Sequence, residues 1–353
     1  VAPDRRLGLA DVSGRHAAVA DAVERRVLSV LRSGRYVGGP VVAELEAAIA
    51  GQLATTWGVG CNSGTDALVL ALKALGIGPG DRVAVPALSF FATTSAVLLV
   101  GAEPVFCDVL ADRPLLDPTG VPADVAAVIP VHLFGALSPV PSGVPIVSDA
   151  AQVAGWGHGR PPGVLATLSF YPSKNLGAAG DAGAIVGDDP ALQARLCSLR
   201  SHGEAPRSVH RALGWNSRLD AVQAAVLLGH LDDLDRRVAR RRAIAARYEQ
   251  ALGHLGPLPR DPRDAVHQFI LRTDGRDALR NHLDSRGVDT GVYYPLPMDA
   301  QPLFTGAAEP SPADSACPNA RRYCERCVAL PCHAGLDAAD VERVIAAVSE
   351  WAP

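Results

Sequence analysis

The chain has 353 residues, 48% apolar and 20% charged, with 37 acidic against 33 basic side chains and a formal net charge of −4. That balance excludes a globally disordered chain and argues against one built to neutralise nucleic-acid phosphates. No apolar run reaches the ~18–20 residues of a membrane span; the longest candidate, Phe90 to Ala102, is broken by Thr93, Thr94, Ser95 and Gly101.

At roughly 150 residues per domain, two domains are expected. No secretory signal is read at the start, where Asp4, Arg5 and Arg6 precede only a short apolar stretch. Seven cysteines (61, 107, 197, 317, 324, 327 and 332) are an odd number. With no sign of secretion, reduced thiols and a cytoplasmic setting are expected. Among the basic residues only Lys73 and Lys174 are lysines; the rest are arginines. Any chemistry that needs a lysine therefore has two candidates.

In chain order, a first helix is expected from Arg15 to Ser33, with Val19, Val23, Val27, Val30 and Leu31 on one face and Gly34 as the stop. The loop G-R-Y-V-G-G-P leads to a second helix opened by Pro40. Helices at Thr65–Leu75 and Thr93–Val100 then alternate with strands at Arg82–Val85, Pro104–Val109, Ala126–Val131, Pro145–Ser148, Ala166–Tyr171 and Gly183–Val186. Such alternation predicts an α/β domain with a mostly parallel sheet covered on both faces. Leu219 to Leu252 reads as one nearly unbroken helical pattern. Its arginines 236, 237, 240, 241 and 242 follow Asp232, Asp233 and Asp235, which predicts a solvated helix face. The tail, with a strand at His267–Arg272 and helices at Arg276–Arg286 and from Asp337, reads as a smaller α+β domain. The boundaries are set at 1–235 and 236–353. Asn319 to Leu330 reads as a helix carrying Cys324 and Cys327; one such pair, near Cys317, Cys332 and His333, is too little for a zinc module, and no metal is expected.

Three segments carry polar groups where strands end, which is where ligands sit in open α/β sheets. C-N-S-G-T-D-A-L (61–68) feeds a helix, and Ser63, Gly64 and Thr65 there suit a phosphate; an ordinary N-cap explains the same residues. V-P-I-V-S-D-A-A-Q (144–152) ends an apolar strand on Asp149, which either holds a proton on a heterocyclic nitrogen or caps the next segment. L-S-F-Y-P-S-K-N-L-G-A-A-G-D (168–181) places Lys174 in a loop after a strand, whereas Lys73 sits in a regular helix. A phosphate site, a strand-end Asp and a loop Lys together point to pyridoxal 5′-phosphate (PLP), with Lys174 in a Schiff base and Asp149 on the pyridine nitrogen.

The order of N-S-G-T-D-A-L, G-P-G-D-R-V-A-V-P-A, S-D-A-A-Q, S-F-Y-P-S-K-N-L-G and L-G-W-N-S-R-L-D resembles the DegT/StrS family of nucleotide-sugar aminotransferases, of PLP fold type I. The likeness runs from G-R-Y-V-G-G-P to A-L-P-C-H-A-G-L-D-A-A-D-V and implies a mostly parallel, seven-stranded-type sheet flanked by helices. It also assigns Lys174 as the Schiff-base lysine and proton shuttle, Asp149 as the pyridinium partner and Gln152 as the contact to the ring hydroxyl. Phe90 would stack on the ring. Gly64, Thr65 and Ser169 would hold the phosphate, with Asn216 reaching it from the neighbouring subunit of a homodimer. Tyr36, Arg218 and Tyr293 are the substrate-side candidates. Relatives with His in place of the lysine are dehydratases, so Lys174 implies transfer of an amino group from Glu or Gln to a keto-sugar, nucleotide-linked, in amino-sugar biosynthesis. A keto-cyclitol or other carbocycle is the alternative acceptor, and a non-catalytic regulatory protein the alternative class. Three departures from the family are visible. The stretch from Gly135 to Val147, with three prolines, cannot hold the usual crossover helix. Val109–Ala126 is trimmed. Tyr293 and Asp299 stand where histidines are common.

Overall fold

The computed structural model describes residues 5–351. Seven strands form the large sheet: β1 (Trp57–Cys61), β2 (Arg82–Pro86), β3 (Glu103–Cys107), β4 (Ala127–Val128), β5 (Val147–Asp149), β6 (Leu165–Ser169) and β7 (Gly183–Gly187). Hydrogen bonds order them β3-β2-β4 and β5-β6-β7-β1. Parallel bridges Val128–Ile146 and Val131–Asp149 join the two sets. All run parallel except β7, which opposes both its neighbours.

Period-2 alternation gives the inner strands two buried faces. In β7, Ala184 and Val186 enter one core and Ile185 the other; in β6, Ala166 and Leu168 part from Leu165 in the same way. Helices Pro40–Gln52 and Ala221–Leu231 cover the first face; Gly64–Ala74, Ala92–Leu99 and Pro190–Leu199 cover the second. The fold is the α/β arrangement expected, with helices on both sides of a mostly parallel sheet.

A smaller sheet pairs β8 (Phe269–Arg272) with β9 (Cys327–Leu330), antiparallel. Phe269, Leu271, Val328 and Leu330 face helices Arg276–Ser285 and Ala338–Ser349. Ile270, Cys327 and Ala329 face Ala87, Leu133 and Phe134 beyond the end of the large sheet. Helix Leu234–Leu252 serves both bodies: Leu234 and Val238 pack in the first core, Ile244, Tyr248 and Leu252 in the third.

Several expectations are corrected. The first helix is two, Val12–Ala17 and Ala20–Ser33, because Val19 leaves helical geometry (φ −132°, ψ 15°). Arg15 of the short piece turns inward onto Lys174 O and Gly177 O, while Val23 and Val30 of the longer one are buried and Leu31 is exposed. Leu219–Leu252 is also two helices, parted at Asp232–Asp233, where the Asp233 carboxylate accepts from Arg236 (2.5 and 2.8 Å). Asn319–Leu330 is a helix only to Arg326; the apolar Cys327–Leu330 becomes β9, whose backbone groups β8 satisfies. Strand β1 escaped notice because W-G-V-G-C alternates with glycine. A Cβ on Gly58 would lie 2.5 Å from Glu46 O, so the strand needs the glycine to pack under its helix.

The arginine run is not a solvated face. Arg237 is buried and donates to Asn175 O and His230 O, both at 2.8 Å. Arg240 reaches Leu336 O, Arg241 reaches Cys332 O and His267 O, and Arg242 reaches Asp264 O. Arg236 alone of the five is exposed. These side chains bond loop carbonyls that no strand or helix pairs, which an alternating charge pattern cannot reveal.

Candidate active site

The carboxyl ends of parallel strands share one edge, and β7, being reversed, brings its amino end there too. Five loops therefore converge: Ser63 after β1, Phe90 after β2, Val131 after β4, Gln152 after β5 and Lys174 after β6, with Asp181 just before β7. They line one cavity of about 540 Å³, closed on the far side by His267, Tyr293 and Tyr294.

Ser63 caps helix Gly64–Ala74, its Oγ accepting from Asp66 N at 3.1 Å. The plain N-cap reading thus holds for its lone pairs, while the amides of Gly64 and Thr65 still open the helix toward the cavity. A Cβ on Gly64 would lie 2.6 Å from Ser169 Cβ, and one on Gly183 would lie 2.3 Å from Ser63 O. This crowding of β1, β6 and β7 makes a cradle of backbone amides and the Ser63, Thr65 and Ser169 hydroxyls, chemistry suited to a phosphate.

Asp149 is 5% exposed at the end of β5. Thr93 Oγ1 donates to its Oδ2 at 2.8 Å, and Ala151 N to its Oδ1 at 3.2 Å. Ser89 then donates to Thr93 across 2.7 Å. Burial raises the Asp149 carboxyl above its usual range despite these bonds and the charge of Lys174. A cationic N–H in the cavity would reverse that shift. Burial likewise lowers Lys174, to about 8, against the pull of Asp149. The Lys174 loop is clamped from behind: Arg15 donates to Lys174 O at 2.9 Å, Asn175 to Ala265 O at 3.0 Å, and His230 approaches Gly177 O at 2.9 Å. Gln152 is buried with Oε1 accepting from Phe134 N at 2.6 Å. Phe90 is 60% exposed at the mouth, 6.3 Å between ring centroids from Tyr294.

The cavity therefore gathers Ser63, Gly64, Thr65, Phe90, Asp149, Gln152, Ser169, Lys174 and Tyr293. It does not gather Asn216, Tyr36 or Arg218, which are exposed on the surface of this chain. Asn216 Oδ1 accepts from Arg218 Nε at 3.1 Å, and Tyr36 OH donates to Leu31 O at 3.3 Å. Asp299 turns away to accept from Ser315 Oγ and Ala316 N, both at 2.8 Å, and so caps a loop rather than facing the site. Sequence reasoning missed Thr93, His267 and Tyr294. Thr93 had a weak signal, a hydroxyl in the first turn of the helix that follows Phe90. His267 had none, since only the small sheet brings it to Asn175 Oδ1, 3.3 Å away. Cys317, Cys324, Cys327 and Cys332 are buried and free, and among the described residues no three Cys, His, Asp or Glu side chains gather as a metal site. No described helix is long and apolar enough to cross a membrane.

Residues 136–146 hold no helix, as the prolines predict, and 110–126 only one 3-10 turn, at Pro118–Gly120.

A "dTDP-3-amino-3,4,6-trideoxy-alpha-D-glucose transaminase" of Streptomyces venezuelae is 40% identical over 98% of this chain and 96% of its own. A "pleiotropic regulatory protein" of Geobacillus stearothermophilus is 37% identical over 97% of each. Among solved structures, S. venezuelae DesV in complex with a ketimine intermediate superposes with a TM-score of 0.92, at 39% identity and 99% of both chains. NtdA of Bacillus subtilis, with bound cofactor PMP, gives 0.87 at 26% identity, over 98% of this chain and 85% of its own. The profile of the DegT/DnrJ/EryC1/StrS aminotransferase family matches residues 18–349. Read with the converging loops above, these matches make the chain an aminotransferase, and it belongs to the DegT/DnrJ/EryC1/StrS family.

Proposed function

We propose that the chain is a PLP-dependent aminotransferase that moves an amino group from Glu or Gln to the ketone of a nucleotide-linked sugar. The observation that carries the reading is the pairing of a loop lysine with a lowered pKa and a buried strand-end carboxylate with a raised one, facing one cavity. When bound, PLP supplies the electron sink that lets a nitrogen leave one carbon and join another.

Each residue then has a task. Lys174 Nζ would hold the cofactor covalently and, when free, would serve as the group that takes and returns the proton. Asp149, braced by Thr93, keeps a proton on the pyridine nitrogen. Gln152 would contact the ring hydroxyl and Phe90 would cover the ring. The start of helix Gly64–Ala74, with Ser63, Gly64, Thr65 and Ser169, holds the phosphate. Asn216, exposed here, completes the phosphate site of a second copy, so the working unit is a homodimer. Tyr36 and Arg218 join the substrate side by the same route, and Tyr293 from within the chain. The identities with the S. venezuelae transaminase support a nucleotide sugar as acceptor.

Purified protein given PLP should turn yellow, lose the colour in Lys174→Ala and keep it in Lys73→Ala. A wild type that stays colourless would refute the cofactor. Incubation with amino donor and a panel of nucleotide-linked keto-sugars and keto-cyclitols then ranks the acceptors; turnover of the carbocycles alone would refute the sugar reading.

A further inference from the structure

Behind the Lys174 loop lies a second cavity of about 240 Å³, walled by Arg15, Arg236, Arg237 and Arg241 with Asp11 and His333. Ser173 lines both it and the cavity that holds Lys174. Among the described residues, Arg15 and Arg241 have no carboxylate partner. Arg15 donates to Lys174 O (2.9 Å) and Gly177 O (3.4 Å), Arg241 to the carbonyls of Cys332, His267 and Val266. Arg236 and Arg237 share the single carboxylate of Asp233. Asp11, the acid in the wall, already caps its own helix by accepting from Gly14 N at 2.8 Å.

Four guanidinium groups thus face two carboxylates. Arg15, Arg237 and Arg241 are drawn out of water while Arg236 stays exposed, and like charges so held are costly unless a counter-ion joins them. Burial and mutual repulsion bring Arg15 and Arg237 down to about 10. A deeply buried side chain also keeps an open bonding position. His333 is 7% exposed; its Nε2–H donates to Gly8 O at 3.1 Å, and its Nδ1 has no partner. Arg237 is 6% exposed, and its Nε lies 3.4 Å from Asp233 Oδ2 in the shared ion pair.

We propose that this cavity is a second binding site, for a small dianion such as hydrogen phosphate, gripped by Arg15, Arg236, Arg237 and Arg241. The Nδ1 lone pair of His333 accepts the hydroxyl of hydrogen phosphate, a bond that a dicarboxylate of equal charge cannot make. The site is distinct from the helix start that takes the cofactor phosphate. It is coupled to it all the same: Arg15 and Arg237 hold Lys174 O and Asn175 O, so an anion that fixes them stiffens the loop carrying the reactive amine.

The test uses PLP-saturated protein, so that added phosphate cannot act at the helix start. Melting is followed in rising phosphate, then malonate, each against chloride of equal ionic strength. Phosphate should raise the melting temperature saturably, by about 2 °C. The midpoint should move to at least tenfold higher phosphate in Arg236→Glu, an exposed position that leaves folding intact, and in His333→Gln. A weaker malonate response supports the hydroxyl contact, and an equal one supports a general dianion site. No saturable effect of either anion beyond chloride, or an effect unchanged in both variants, would overturn the proposal.

Discussion

Lys174 is held near pKa 8 rather than its ordinary 10.5 because its loop desolvates the ammonium. In protein stripped of cofactor, the amine should take up the PLP aldehyde at a rate that rises with pH and levels off above about 8; a midpoint near 10 would show that the loop does not desolvate it. Between pH 8 and 10.5 the unfolded chain binds more protons at this site, so the stripped protein should also gain stability as pH rises through that window, measured by urea titration. Thr93→Val removes the hydroxyl that supports Asp149. A lost hydrogen bond to a charged group corresponds to about 1.5–3 kcal/mol, so PLP affinity should fall at least tenfold by equilibrium dialysis. Gly64→Ala drives a methyl against Ser169; it should weaken PLP and lower stability by about 1–3 kcal/mol, with partial recovery in the double variant carrying Ser169→Gly. Lys174 and Asp149 were legible because each is a reactive residue type, Asp149 at the end of an apolar strand and Lys174 in the loop after one. Thr93 was barely legible and His267 not at all, because threonine and histidine fit almost any context and only folding brings them to the carboxylate and the lysine loop.

Elements were legible where hydrophobic period and caps agreed. The last helix, Ala338–Ser349, starts at a capping box of Asp337 and Asp340 and buries Val341, Val344, Ile345 and Val348, spaced as one face of a helix. They were misread where two periods fit one segment. Cys327–Leu330 is too short to show alternation, and its pairing with β8 overrides the helical pattern upstream. The arginines of helix Leu234–Leu252 were misread because charge in sequence was taken for exposure. Arg241 bonds the carbonyls of Cys332 and His267, at 2.6 and 3.1 Å. Arg241→Met should therefore lower stability by about 2–3 kcal/mol through orphaned carbonyls, seen as a lower urea midpoint; a neutral result would mean that water replaces it.

At the scale of the molecule, we propose that residues 1–235 form the cofactor-binding unit and 236–353 the smaller one. Under the proposed function Asn216, exposed on this chain, serves the site of a second copy. Mixed dimers of Lys174→Ala with Asn216→Ala subunits give a direct reading. If Asn216 acts across the interface, one of the two sites in each mixed dimer has both residues intact, so mixing should restore activity that neither parent shows. If it acts within its own chain, mixing restores nothing. Helix Leu234–Leu252 has a further consequence. Its first turns are roofed by one core and its last turns by the other, so neither unit can finish its packing alone. Pieces split near residue 235 and made separately should be insoluble or loosely ordered, yet reassemble when co-expressed, as two halves that share a keystone.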